Sequence, residues 1–206
     1  MKQVAVFLAL VALASSSVTA QPVRKETDVA KQRAAVEAWT ACIADENVDR
    51  VSRTLARDFT SREYRSEMLA LAKTRVSSRC FEAMPGEYRR IELGGLPFAG
   101  GLAERLIERS DESLLLRLSR AVIGVTPQTY SPTDAIAMCM VRGAPLQVSS
   151  LFGTSINSSE EIAALADLAS AVDICSVGTR RLEASPLGMR SMLATASFRL
   201  LAAQEG

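Results

Sequence analysis

Apolar positions are arranged in two ways along this chain: one continuous run near the N-terminus, then a succession of stripes at helical spacing. The run from Val4 to Ala14 is preceded by Lys2 and followed by Ser15-Ser16-Ser17 and Val18-Thr19-Ala20. A basic start, a short apolar stretch and a small-residue site make a secretory signal peptide, residues 1–20, cleaved before Gln21. The run is too short for a membrane anchor, and no later stretch approaches the roughly 20 apolar residues a span requires. The expectation is an exported chain, periplasmic or secreted, with no membrane span after cleavage.

The stripes predict helices. Val29, Val36, Trp39 and Ile43 recur on one face and place Cys42 near the end of a first helix, with Trp39 in the core. A short run carries Val48, Val51 and Leu55, and Thr60 to Glu63 then reads as a capping box, with Thr60 as N-cap and Glu63 returning to it. The helix it opens presents Tyr64, Met68, Leu71 and Val76 and runs toward Cys80. Pro85-Gly86 and Gly94-Gly95 interrupt the pattern, a close-packed helix follows from about Phe98 to Glu108, and Ser110-Asp111-Glu112 caps a segment with Leu114, Leu115 and Leu118.

After a linker from Thr126 to Tyr130, Ser131-Pro132-Thr133-Asp134 opens a helix bearing Ile136, Cys139 and Met140, with serine as cap and proline first in the helix. Pro145 starts a short helix through Phe152. Asn157 caps the next, with Glu160 as its returning acid and Ile162, Leu165, Ala169 and Val172 as its stripe. A last helix from about Pro186 to Ala203 carries Leu187, Met192, Leu193, Ala196 and Leu200.

These elements echo one another. Cys42 and Cys139, Val51 and Val148, and Glu63 and Glu160 each lie 97 residues apart, and Cys80 and Cys175 lie 95 apart. The arginine doublets Arg89-Arg90 and Arg180-Arg181 also recur. The reading is an all-α fold of two tandem helical repeats, residues 21–125 and 126–206, packed as a single globular unit. Four cysteines in an exported chain form two disulfides, and closing each copy on itself pairs Cys42 with Cys80 and Cys139 with Cys175.

Composition narrows the chemistry. The 206 residues include no histidine, which removes Ser/His/Asp and Cys/His nucleophilic machinery and the usual imidazole metal ligands. The cysteines are too far apart for a zinc site, so no metal and no cofactor is expected. Gly94 to Gly101 matches neither a phosphate loop nor a dinucleotide fingerprint. Without residues 1–20, 23 basic side chains face 23 acidic ones, a balance that argues against a nucleic-acid partner.

No motif assigns an activity. Two classes of function fit: a non-catalytic interaction module for a protein or envelope component, or a histidine-free hydrolase acting on glycans through two carboxylates, such as Glu104 with Asp58 or Glu108. The first is favoured, and a cavity lined by two carboxylates, one of them raised in pKa, would favour the second. The candidate partner contacts are Arg89, Arg90, Arg180 and Arg181.

Overall fold

A computed structural model describes residues 26–88, 91–178 and 182–204. Residues 1–20, expected from the sequence to be a signal peptide, and the four arginines of the two doublets lie outside the described residues. The described chain is all-helical and compact, with no strand. Eleven α-helices follow in order: α1 (Val29–Glu46), α2 (Val48–Leu55), α3 (Arg62–Ala72), α4 (Ser78–Ala83), α5 (Gly95–Glu108), α6 (Leu114–Ala121), α7 (Pro132–Gly143), α8 (Pro145–Phe152), α9 (Ser159–Asp167), α10 (Ala169–Cys175) and α11 (Pro186–Ala202).

The centre of the fold is the pair α5 and α11, which make the most extensive helix contact among the described residues; α1 packs on α5 and α7 on α11. Glycine makes the close approach possible. A Cβ on Gly100 would lie 2.4 Å from the side chain and 2.5 Å from the backbone of Ser191 on α11, and one on Gly101 would lie 2.5 Å from the Thr40 hydroxyl on α1. The glycine-rich stretch is therefore a packing surface on two sides of α5, and the helix begins at Gly95, three residues before the Phe98 expected from the apolar pattern.

Two apolar clusters form on this frame. Ile43, Val51, Leu55, Leu71, Phe98 and Leu102 build one, and Leu118, Ile136, Met140, Leu151, Leu193 and Leu200 build the other. Phe152 packs against both, and α11 feeds both, through Ala194 and Leu193 respectively. Disulfides Cys42–Cys80 and Cys139–Cys175 join α1 to α4 and α7 to α10, with Cα separations of 6.0 and 5.8 Å. The bounds of α2 and α8 are 97 residues apart at both ends, as are the starts of α3 and α9.

The capping assignments need correction by one residue in each half. Ser61, not Thr60, caps α3: its hydroxyl accepts from the Tyr64 N–H at 3.1 Å, whereas the Thr60 hydroxyl donates to Asp58 at 2.7 Å and is spent there. Ser158, not Asn157, caps α9, accepting from the Glu161 N–H at 3.1 Å. Asn157 has φ 62°, a left-handed conformation that asparagine tolerates, and cannot hold the extended geometry a cap needs. Glu63 and Glu160 consequently sit one position too early to return to the cap; both are exposed. The returning acid in the second half is Glu161, whose Oε2 accepts from the Asn157 N–H at 2.9 Å.

The stripe expected from Ile162 to Val172 is broken at Leu168 into α9 and α10, which leaves Ile162 exposed while Leu168 and Val172 are buried. Likewise Ser113, rather than Ser110, caps α6. Trp39 is half-buried, with its indole N–H donating to the Tyr88 carbonyl at 2.7 Å.

Candidate functional site

Two clefts flank the α5/α11 pair. The larger, about 560 Å³, lies between α3, α5, α7 and α11 and is walled by Leu55, Phe59, Met68, Leu93, Phe98 and Met192, with Leu69 and Leu96 exposed on it. The smaller, about 150 Å³, lies between α1, α5 and α11 and is lined by Arg33, Glu37, Glu104, Glu108 and Arg190.

Sequence offsets also relate positions around the two clefts. With α1 and α7 offset by 97 residues and α5 and α11 by 91, Asp134, Ala137, Phe59, Ala99, Thr195 and Arg199 of the large cleft correspond to Glu37, Thr40, Ile156, Arg190, Glu104 and Glu108 of the small one. Tyr64 and Tyr130 beside the large cleft correspond to Glu161 and Arg33 beside the small one.

The small cleft is closed by charge. Arg33 on α1 meets Glu161 on α9 through two hydrogen bonds of 2.6 and 2.9 Å, and both side chains are almost wholly buried. Arg190 on α11 reaches Glu104 on α5 through Nε at 3.0 Å and Nη2 at 2.5 Å, Glu161 at 3.2 Å, and the Leu151 and Thr154 carbonyls at 3.2 and 2.9 Å. Two cations and two anions balance, and the paired geometry lets such charges leave water.

Burial pushes the Glu161 carboxyl up, but the Arg33 hydrogen bonds, the Asn157 N–H and the nearby Arg190 charge outweigh it, so the group is held below its ordinary value. Burial likewise raises Glu104, and there Arg190 only partly offsets it. Both Glu104 oxygens accept from Arg190, whose guanidinium keeps its proton. Glu37, at the rim, is pushed up by desolvation and then by the charge of Glu104.

The large cleft is built differently. A buried ion pair joins Asp134 to Arg199, whose Nη1 lies 2.7 and 2.9 Å from the two carboxylate oxygens. Asp134 also accepts from the Tyr130 N–H at 2.9 Å, and the Arg199 guanidinium donates to the Gln128 carbonyl and lies 4.9 Å from the centre of the Tyr130 ring. These charges are consumed in fastening the linker segment before α7 to α11. What faces the open space is mostly apolar wall, with the Tyr64 side chain, Arg65 and the hydroxyls of Ser131, Thr133 and Thr195, which are engaged in local hydrogen bonds. Neither the Tyr64 hydroxyl nor the Arg65 guanidinium meets a partner among the described residues. Desolvation raises the Tyr64 phenol above its ordinary value, so it remains a neutral donor.

Of the residues singled out in the sequence, the structure brings Glu104 and Glu108 to one cleft and leaves Asp58 out of it. Reading the chain missed Arg33, Glu161 and Arg190, although each carried a trace. Arg33 falls four residues after Val29 and three before Val36, in phase with the apolar stripe, and Arg190 falls between Leu187 and Leu193 in the same way. A charged side chain on a buried face implies a buried counter-charge. Among the described residues no group of three metal-ligating side chains converges, and no single helix is long and apolar enough to cross a membrane. In comparison with protein families, with curated proteins and with solved structures, nothing matches this chain.

Proposed function

We propose that this chain is an exported helical binding module that receives an apolar ligand, from a protein or from the cell envelope, in the cleft between α3, α5, α7 and α11. The observation that carries the reading is the division of polar groups around that cleft. Asp134 and Arg199 are already paired with each other, while about 560 Å³ of space behind Arg65 is walled by aliphatic and aromatic side chains. That volume falls within the roughly 300–1,000 Å³ of small-ligand pockets, and such pockets are mostly apolar with few polar groups. Export is part of the reading: the apolar run from Val4 to Ala14 supports it, and the two disulfides suit an oxidising compartment.

The test is saturable one-to-one binding of the neutral dye Nile red to the folded protein. Ala72→Trp, which fills the cleft, should abolish it, and Leu69→Asp, an exposed position at the same cleft, should weaken it with no loss of helical signal. Absence of saturable binding, or binding indifferent to both changes, overturns the reading.

The hydrolase alternative draws on one specific observation: Glu37 and Glu104, both raised, line the small cleft with Glu108. Two features weigh against it. The volume of about 150 Å³ is below that of ordinary ligand sites, and both Glu104 oxygens accept from Arg190, which favours the anion over the protonated acid a glycosidase requires. Glycan turnover by the mature protein, lost in Glu104→Gln, would establish this alternative in place of the binding module.

A further inference from the structure

We infer that the ligand of the large cleft is a single acyl chain ending in an anionic head, with the chain against the apolar wall and the head at Arg65. The inference rests on the cleft reading above and adds the class of ligand. Its basis is the imbalance of charge at the mouth. Of the three charged side chains lining the cleft, Asp134 and Arg199 neutralise each other, which leaves the Arg65 cation without a partner among the described residues. Tyr64, one residue before it on α3, adds a neutral hydroxyl that is partly withdrawn from water and makes no hydrogen bond to a described residue. One cation and one free donor lining the same cleft match a carboxylate or a phosphate monoester, and offer nothing to a cationic head.

The size of the cleft favours a chain over a peptide helix. A helix 10–12 Å wide with a 5.4 Å pitch takes roughly 420–610 Å³ per turn, so the space holds about one turn. An extended acyl chain has no backbone polar groups to satisfy against Leu55, Met68, Phe98 and Met192, whereas a peptide would bring unpaired N–H and C=O groups to that wall. The small cleft shows the contrast: there Arg33, Glu161 and Arg190 fill the space with the protein's own ion pairs.

The experiment is displacement of Nile red from the mature protein by four twelve-carbon amphiphiles kept below their aggregation concentrations: dodecanoate, dodecyl phosphate, dodecanol and dodecyltrimethylammonium. The two anions should bind about fivefold more tightly than dodecanol, the scale of one exposed ion pair, and the cation more weakly than dodecanol. The order of dodecanoate and dodecyl phosphate separates a fatty-acid source from a phospholipid-type source. Arg65→Ala, at an exposed position, should bring both anions to the affinity of dodecanol and leave dodecanol unchanged. Equal binding of all four heads, or an unchanged preference in Arg65→Ala, overturns the inference while the cleft reading stands. So does an apolar helical peptide that displaces the dye at lower concentration than any amphiphile. Failure of the dye itself to bind removes the cleft reading instead.

Discussion

The two clefts beside α5 and α11 have opposite interiors. On one side Arg33, Glu161, Arg190 and Glu104 form a balanced set of ion pairs that ties α1, α9, α11 and α5 together. On the other, tyrosines and aliphatic side chains leave space, and the buried pair of Asp134 with Arg199 holds the segment before α7. One side of the α5/α11 pair is therefore fastened by charge, and the other is left open. A few residue identities decide which: charge at positions 33, 161 and 190 on one side, aromatic or small side chains at 130, 64 and 99 on the other. Space for a ligand arises where the protein does not spend its own side chains on filling it.

The sharpest break in this comparison comes from matching substitutions at the two equivalent positions on α3 and α9. Glu161→Gln strands the buried Arg33 cation, removes one of the two carboxylates that face Arg190, and should cost about 3–5 kcal/mol in a denaturant melt. Tyr64→Phe removes only a hydroxyl with no partner and should stay within about 0.5 kcal/mol. Comparable losses at the two positions would mean that the clefts do not differ as described.

The same carboxylate sets a pH dependence. Because the folded-state value of Glu161 is depressed, its contribution is fully present above the ordinary glutamate value of about 4.3 and is lost as pH falls through the folded value. Glu104 and Glu37 are raised and act with the opposite sign: their ionisation burdens the folded state, and that burden is relieved as pH falls through their raised values. Stability of the native chain should accordingly fall most steeply in acid below the ordinary carboxylate range, and Glu161→Gln should flatten that limb. Unfolding free energies measured across this range check it.

The smallest effects should be equal on the two sides. Ser61→Ala and Ser158→Ala each remove the hydroxyl that accepts from the third N–H of its helix, and each should cost about 1 kcal/mol in thermal or denaturant melts. Ser158 also positions Glu161, so a loss well above that at Ser158 alone would show that cap and ion pair act as one unit.

Much of the local structure was legible in order. The bounds of α8, Pro145–Phe152, and the Ser131–Pro132 start of α7 follow from proline and capping chemistry that operates within a few residues. The disulfide pairing followed from the spacing of the cysteines between the two halves. The caps were read one residue early because Thr60 and Asn157 are themselves good capping residues, and only the engagement of Thr60 with Asp58 and the left-handed backbone of Asn157 decide for the serines.

What the sequence could not determine was any relation between residues far apart along the chain. An arginine on an apolar stripe announces that a counter-charge exists, but Glu161 is 128 residues from Arg33, and no periodicity reports across that interval. Helical periodicity fixes which face of a helix is buried; it does not fix which other helix covers that face, because burial of apolar area has no direction. Gly100 and Gly101 carried the means of close packing, and only the tertiary arrangement made Ser191 and Thr40 the surfaces they meet. The vacancy behind Arg65 has the same origin: it is a difference between what four helices could fill and what their side chains do fill, a quantity that exists only once the helices are packed.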